Sequence, residues 1–313
     1  MARKTSVGGQ AVIEGVMMRG ANGIATAVRK SDGDISVKFE KIIPYAKRNK
    51  FFSIPIIRGF VALIESMVVG IRTLNYSASL FEDENEETDN EPSKFEKWLY
   101  KTFGESINNI IMGISLIISI IFAVTLFFII PTFAANLFSK LHLNTIALNF
   151  IEGVIRVAIF VIYIYFIGKM SDINRVFQYH GAEHKTVFCY ENEDELTPEN
   201  ASKYSRFHPR CGTNFLFLVM IVSIIIFSFT KWSSLPERII SRVILLPLVS
   251  GITYEIIRWM GKSKSSISHF FAYPGLMLQK LTTREPDYSQ LEVAIKALKR
   301  AEGIANEEGE EAK

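Results

Sequence analysis

Residues 178–185, QYHGAEHK, contain three side chains whose types and spacing suit metal chemistry. His180 and His184 are four positions apart, so on a helix both imidazoles project from the same face. Two imidazoles placed in this way can bind one zinc ion, and Glu183 beside them can act as the general base that activates a water molecule. The H-x-x-E-H pattern is the inversion of the H-E-x-x-H box of many zinc hydrolases. It predicts a divalent metal site, with zinc the most suitable ion and Glu183 as the catalytic residue.

Three further residues are candidates to complete the coordination. His208 and Cys211 are separated by two residues in FHPRCGTN, which is a familiar ligand spacing. Glu255 is the third candidate, because a carboxylate within an apolar segment is costly unless it has a partner. Two schemes stay open. A closed tetrahedral site of His180, His184, His208 and Cys211 would be structural, whereas an open site that uses Glu255 as its third ligand would be catalytic.

The same residues also have an interpretation that needs no metal. A short H-x-x-E-H match has an appreciable false-positive rate. Histidines at a membrane edge often serve as amphipathic anchors, and Glu183 can pair with a basic residue of its own segment. Glu255 can pair with Arg156 or Arg258. Metal binding and simple anchoring therefore both remain open at this point.

The composition places the chain among membrane proteins with sizeable polar segments. The 313 residues are 49% hydrophobic and 12% aromatic, yet 21% are charged. The net charge is only +3, so no nucleic-acid partner is expected. Two cysteines without a C-x-x-C motif make a disulfide framework unlikely to be the basis of the fold. The lipid bilayer is the expected partner.

Four apolar segments are long enough, or nearly so, to cross a bilayer: 110–130, 148–167, 214–229 and 239–260. Basic residues concentrate in the segment 169–213 between the second and third. The positive-inside rule then places this segment and both termini on the cytoplasmic side of the membrane that the four helices cross. The expected fold class is a predominantly α integral membrane protein with a small cytoplasmic α+β module.

The N-terminal region predicts two further elements. Residues 24–42 read as two alternating strands around an Asp-Gly turn, which is typical of a β-hairpin. The apolar segment 51–81 carries Arg58, Glu65 and Arg72 seven positions apart, so the three charges share one stripe of a helix. We expect this helix to lie in the membrane interface or to be re-entrant.

The remaining segments complete the expected organisation. Residues 82–91 are acidic and without an apolar side chain, as in a disordered linker. The residues QLEVAIKALKRAEGIA near the C-terminus predict an amphipathic helix. In GGQAVIEGVMMRG the glycines permit tight turns, and Glu14 and Arg19 are expected to form a buried ion pair. The predicted division has six parts. Residues 1–81 form the hairpin and the interfacial helix, 82–106 the linker, and 107–168 the first two spans. Residues 169–213 form the cytoplasmic loop with the His and Cys motifs, 214–260 the last two spans, and 261–313 the cytoplasmic tail.

Four motifs in this order resemble a known family. GGQAVIEGVMMRG, QYHGAEHKTV, HPRCGTNF and PGLMLQKLTTREPD followed by QLEVAIKAL are similar to the YqhQ-like bacterial membrane proteins, domain of unknown function family 1385. The similarity extends from about residue 8 to residue 298. That family has been catalogued as a predicted metal-dependent enzyme, so the resemblance implies a metal site. The residues that it keeps in place here are His180, Glu183, His184, His208 and Cys211.

Three functions are compatible with these features. The first is a metal-dependent, hydrolase-like enzyme that acts at the cytoplasmic face on a lipid or a membrane-embedded peptide. The second is a non-catalytic scaffold or assembly factor that holds a structural zinc ion or no metal. The third is a transporter component, suggested by Pro247 and Gly251 in the last span. Four spans are few for a transporter unless the chain forms a homo-oligomer, which the sequence leaves open.

Overall fold

The computed structural model describes residues 7–41, 45, 49–85, 107–141, 143–209, 211–230, 235–263 and 265–304. The chain divides into two compact units. One unit is formed by Met1–Phe81 together with Tyr163–Lys313, and the other by Glu82–Ile162. All the residues with candidate chemistry belong to the first unit.

The N-terminal segment folds into a four-stranded antiparallel sheet with the strand order β1-β2-β3-β4. Its strands are β1 (Gly8–Val12), β2 (Gly15–Arg19), β3 (Ile24–Arg29) and β4 (Ile35–Glu40). The predicted hairpin is present as β3 and β4, with Gly33 at a φ of 93° in the turn between them. The strands β1 and β2 arise from the GGQAVIEGVMMRG motif, for which the sequence suggested turns only.

The helices account for most of the remaining chain. In order they are α1 (Ile57–Asn85), α2 (Ile107–Val124), α3 (Ile130–Asn136), α4 (Thr145–Ile167), α5 (Ser171–Glu191), α6 (Pro198–Ser202), α7 (Gly212–Ser228), α8 (Leu235–Lys262), α9 (Ser266–Thr282) and α10 (Tyr288–Glu302). A π-helical turn at Thr125–Ile129 joins α2 to α3. The expected motif loop 169–213 is therefore largely the 21-residue helix α5. Helix α1 continues to Asn85, into the segment expected to be a linker, and residues 86–106 lie outside the described residues.

The sheet is covered on both faces, because successive side chains of a strand point to opposite sides. Met18 and Ala25 pack with Tyr179 of α5 and Leu298 of α10. On the other face, Met17 and Ile24 pack with Val69 of α1. The predicted C-terminal helix is present as α10. It begins with a capping box formed by Asp287 and Gln290 and ends at Gly303, whose φ is 71°.

The charged stripe of α1 connects this helix to its neighbours. Each of its three charges has an ion-pair partner from a distant segment: Arg58 with Glu255, Glu65 with Arg19, and Arg72 with Glu40. The expected pairing of Glu14 with Arg19 is wrong, because Glu14 contacts Arg175 of α5 instead. Glu14 lies in the turn between β1 and β2, and its side chain reaches Arg175 of α5. Arg19 is the last residue of β2, and its side chain reaches Glu65 of α1.

Within the part of the chain that the structure describes, three helices are long and apolar enough to cross a membrane: Gly113–Asn136, Thr145–Ile167 and Glu237–Met260. The predicted span 214–229 corresponds to the shorter apolar helix Gly212–Ser228, which has 17 residues. Pro247 and Gly251 do not interrupt α8. The unit Glu82–Ile162 contains a buried ion pair, in which Arg156 Nη2 lies 2.7 Å from Glu152 Oε1 one helical turn away.

Candidate metal centre

Helix α5 places the two histidines of the H-x-x-E-H box on one face. The ring centroids of His180 and His184 are 4.5 Å apart, as the i, i+4 spacing predicts. The segment after α9 runs alongside this helix, and Arg284 donates its backbone N–H to Phe177 O. Gly181 is required for this approach, because a Cβ atom there would lie 2.1 Å from Arg284 O. The glycine inside the box thus lets the α9–α10 connection reach His180.

Backbone carbonyls fix the tautomers of both histidines. His180 Nδ1 donates to Thr282 O at 2.8 Å, and His184 Nδ1 donates to Arg206 O at 2.5 Å. A carbonyl oxygen can only accept, so both Nδ1 atoms carry the proton. Nε2 is therefore the nitrogen of each ring that is left to bind a metal ion. Metal-binding histidines are commonly oriented by such a second hydrogen bond.

Cys211 approaches the two rings from the beginning of α7. Its Sγ atom lies 3.1 Å from His180 Nε2. As the N-cap residue of α7, Cys211 also accepts from the backbone N–H and the hydroxyl of Thr213, at 3.4 Å and 3.3 Å. Backbone N–H groups at a helix N-terminus favour an anionic partner. These contacts hold the sulfur at the beginning of α7, beside the ring of His180.

The three donor atoms of His180, His184 and Cys211 all lie within 4.8 Å of one another. A tetrahedral zinc ion with bonds of about 2.0–2.3 Å keeps its ligands roughly 3.3–3.8 Å apart. His184 Nε2 is buried and has no hydrogen-bond partner among the described residues. A buried lone pair without a partner is costly, and a metal ion would satisfy it. The donor set of two imidazoles and one thiolate fits zinc.

Glu183 lies beside this group. Its Oε2 atom is 3.3 Å from His184 Nε2, and the residue is only 6% exposed. Its Cγ atom packs against Gly9 of β1, where a Cβ would come within 2.7 Å. The glycine therefore leaves the space that Glu183 occupies, and the carboxylate stands next to the candidate ligands.

A cavity of about 370 Å³ adjoins the group and is lined by Glu183 and Cys211. It falls within the size range of small-ligand sites, roughly 300–1,000 Å³. Its other lining residues come from the first three strands with the residue before β1, from α1 and α5, and from the start of α7 with the segment before it: Val7, Gly8, Gly9, Gln10, Met17, Arg19, Ile24, Ser66, Val69, Val187, His208 and Gly212. Glu183 and Cys211, one of the candidate ligands, thus line a space large enough for part of a substrate.

The other two candidate ligands do not join this group of donors, although the ring centroid of His208 lies only 5.7 Å from that of His184. His208 also lines the cavity, but its Nε2 atom faces Glu191 Oε2 at 3.5 Å. Burial lowers the pKa of His208, so its ring is neutral at pH 7. Glu255 receives two hydrogen bonds from the guanidinium of Arg58, at 2.6 Å and 2.5 Å. Neither residue belongs to the group of three converging donors.

Several positioning groups gave no signal in the sequence. Gln279 is fully buried, accepts from the backbone N–H of His208 at 2.8 Å and donates to its carbonyl at 2.7 Å. These two hydrogen bonds fix the backbone of the segment that leads into Cys211. The carbonyls of Thr282 and Arg206 orient the rings, although any residue type provides a carbonyl. The glycines of GGQAVIEG were the one visible sign that β1 approaches the site.

Comparison with known proteins places this architecture in context. Residues 54–303 match the family described as "Protein of unknown function (DUF1385)". The chain is 36% identical over 295 residues to the uncharacterized protein YqhQ of Bacillus subtilis (strain 168), which covers 93% of this chain and 90% of that protein. No solved structure matches.

Proposed function

This chain belongs to the DUF1385 family, and on that premise we propose that it is a membrane-integrated, metal-dependent hydrolase. His180, His184 and Cys211 hold a zinc ion, and Glu183 is the general base. His208 and Glu255 are not ligands in this proposal. The site faces the cytoplasm, and the substrate is a molecule presented at the membrane.

The observation that carries the proposal is the convergence of two oriented imidazoles on one cysteine. Both Nδ1 atoms are occupied by carbonyls, so the Nε2 atoms are left to bind a metal; His180 Nε2 lies beside Sγ, and the ligand atoms of all three residues lie within 4.8 Å of one another. Three protein ligands with an adjoining cavity are the arrangement of catalytic zinc sites, whereas structural sites are closed by a fourth protein ligand. The cavity next to Cys211 thus favours the catalytic scheme over the structural one.

Glu183 has the position that proton transfer requires. A zinc ion in such a site supplies Lewis acidity, which lowers the pKa of water and polarises a carbonyl or phosphoryl oxygen. The carboxylate of Glu183 lies at the boundary between the ligand group and the cavity. From there it accepts a proton from a water molecule in the cavity and returns it to the leaving group.

The membrane setting follows from the apolar helices. In our proposal α7 is a fourth membrane span, in addition to the three longer candidates. Both termini and the segment from α5 to α6 are cytoplasmic. The excess of Lys and Arg in residues 169–213 supports this orientation in a bacterial cytoplasmic membrane. Exposed apolar side chains of α1, such as Met67 and Ile71, support a location of this helix in the interface.

Two substitutions separate the roles of ligand and base. His184→Ala removes a ligand, so the purified protein should lose its zinc. Glu183→Gln keeps the shape but removes the basicity, so it should retain zinc and fail to complement a strain that lacks the protein. Glu199→Gln, at an exposed position on α6, is the matched control and should behave as wild type. Full complementation by Glu183→Gln would refute the catalytic role.

A further inference from the structure

We propose that the substrate is an extended peptide segment whose backbone pairs with the free edge of β1, as a fifth strand of the sheet. This inference rests on the proposed function and specifies the substrate class. The relevant groups are the outward backbone N–H and C=O of Gly9, which lines the cavity, and of Ala11, two positions further along β1. A lipid substrate is the alternative that the experiment below distinguishes.

The strand register shows which backbone groups of β1 are free. In an antiparallel pair, hydrogen-bonded and non-hydrogen-bonded residue pairs alternate. Arg29 N donates to Glu14 O, and Gly20 N donates to Gly23 O. The even-numbered residues of β2 therefore bond to β3, and its odd-numbered residues bond to β1.

The same alternation applies to β1. Gly8, Gln10 and Val12 of β1 pair with the odd-numbered residues of β2, which are Arg19, Met17 and Gly15 respectively. These three residues consequently use their backbone groups within the sheet. Gly9 and Ala11 point their N–H and C=O groups the other way, towards the outer edge. No hydrogen bond from these outer groups is present among the residues that the structure describes.

The cavity follows this edge. Val7, Gly8, Gly9 and Gln10 all line it, and Glu183 packs on the α5 side of Gly9. Gly8 has no atom within 4 Å of the position that a Cβ would take, so open space lies above the strand there. A chain entering between α1 and α5 would run along β1 and pass Glu183 and Cys211.

The chemistry of the edge selects a peptide. A free strand edge presents alternating donors and acceptors that a second extended backbone satisfies in register. An acyl chain has no groups with which to satisfy them. The two consecutive glycines at 8 and 9 also allow a close approach of another backbone. An extended peptide is therefore the ligand whose hydrogen-bonding pattern matches this wall of the cavity.

The reaction is then hydrolysis of a peptide bond. The oxygen of water bonds to the carbonyl carbon, and the C–N bond breaks. Glu183 takes one proton from the water and delivers it to the departing nitrogen. The second proton of the water also passes to that nitrogen, so the products are a carboxylate and an ammonium group, and no oxidant, reductant or further reactant is needed.

Backbone methylation of a small probe tests the pairing directly. The probes are N-acetyl-Ala-Val-Ala-hydroxamate, its analogues methylated at one backbone nitrogen each, and octanoyl hydroxamate as the lipid-like comparison. Binding is measured by calorimetry on the full-length, zinc-loaded protein in detergent. We expect at least one N-methyl analogue to bind about tenfold more weakly than the parent peptide, because one inter-strand hydrogen bond is lost.

Two variants at one position locate the contact. Ala11→Pro removes the outward N–H and keeps the bonds between β1 and β2, so it should weaken the peptide about tenfold and leave octanoyl hydroxamate unchanged. Ala11→Gly keeps the N–H and is the matched control, with wild-type affinity expected. If Ala11→Pro does not fold, the methylated series on the wild-type protein still decides the question.

The outcomes are distinguishable from failure of the proposed function. Equal affinity for all the methylated peptides, or tighter binding of octanoyl hydroxamate, would overturn the pairing while zinc binding stands. Absence of zinc from the wild-type protein would overturn the proposed function alone. In that case the same peptides are used with a carboxamide in place of the hydroxamate, so that their binding needs no metal. A tenfold loss on methylation would then support pairing with β1, and equal affinities would reject it.

Discussion

The Nε2 atom of His180 lies 3.1 Å from the Sγ atom of Cys211, although the two residues are 31 positions apart in the sequence. His180 lies on helix α5, and Cys211 is the residue that immediately precedes α7. Two separate constraints bring them together, namely the Thr282 carbonyl on the ring and the N-cap geometry of the cysteine. Two independently fixed donors that converge are the feature from which the metal site is inferred.

The two cysteines should differ in reactivity. Burial raises the pKa of the Cys189 thiol to about 11, so only about one thiol in a thousand is ionised at pH 8. Cys211 is partly exposed at the cavity. In the protein stripped of metal, iodoacetamide at pH 8 should therefore modify Cys211 first, and added zinc should slow that reaction at least tenfold.

Mass spectrometry of the labelled peptides identifies the modified residue. Cys189→Ala should leave the fast reaction intact, and Cys211→Ser should abolish it. Because Cys189 titrates near 11, its own labelling should rise steeply between pH 9 and 11. Rapid modification of Cys189 at pH 8 in the folded protein would show that the thiol is not buried as described.

Neighbouring glycines of β1 should differ in their tolerance to substitution. A Cβ on Gly9 would lie 2.6 Å from the backbone oxygen of Met17 and 2.7 Å from Glu183 Cγ. Gly9→Ala should therefore lower the free energy of unfolding by about 1–3 kcal/mol, as in other overpacked sites. Gly8→Ala is the matched control, since its Cβ meets nothing within 4 Å.

Thermal unfolding in detergent measures both variants. We expect the midpoint of Gly9→Ala to fall by several degrees and that of Gly8→Ala to stay close to wild type. Equal midpoints for the two variants would contradict the close packing of Glu183 against β1.

The ion pair between Arg58 and Glu255 should contribute to stability and not to metal binding. Glu255→Gln leaves Arg58 without its charged partner, so the unfolding midpoint should decrease while the zinc content is unchanged. The double variant Arg58→Gln/Glu255→Gln should recover part of that loss, with a coupling of about 0.5–3 kcal/mol. Loss of zinc from Glu255→Gln would instead identify Glu255 as a ligand.

The proposed orientation can be tested with single cysteines in a Cys189→Ala/Cys211→Ser background. A membrane-impermeant maleimide applied to intact cells should label Asn144→Cys but not Ser202→Cys. Permeabilised cells should label both, which controls for accessibility. External labelling at Ser202 would place the α5–α6 segment on the outer side and reject the cytoplasmic site.

The sequence predicted those features that depend on local periodicity or on spacing. The i, i+4 histidines, the hairpin around Asp32 and Gly33, and the amphipathic helix α10 all follow from patterns within about 20 residues. Contacts between distant segments could not be anticipated. Arg58 and Glu255 are 197 positions apart, and the carbonyls that orient His180 and His184 carry no residue-type signal. The strand β1 was missed because its two glycines suggest a turn when tertiary packing is unknown.

Zinc stoichiometry is the measurement that tests the central claim most directly. The wild-type protein, purified without chelators, should contain about one zinc ion per chain by elemental analysis, and the His180→Ala/His184→Ala variant should contain none. Glu183→Gln should equal wild type in the same preparation, since it removes no ligand. Equal and negligible zinc in the wild type and the double variant, both folded, would contradict the account and leave the box as an interfacial anchor.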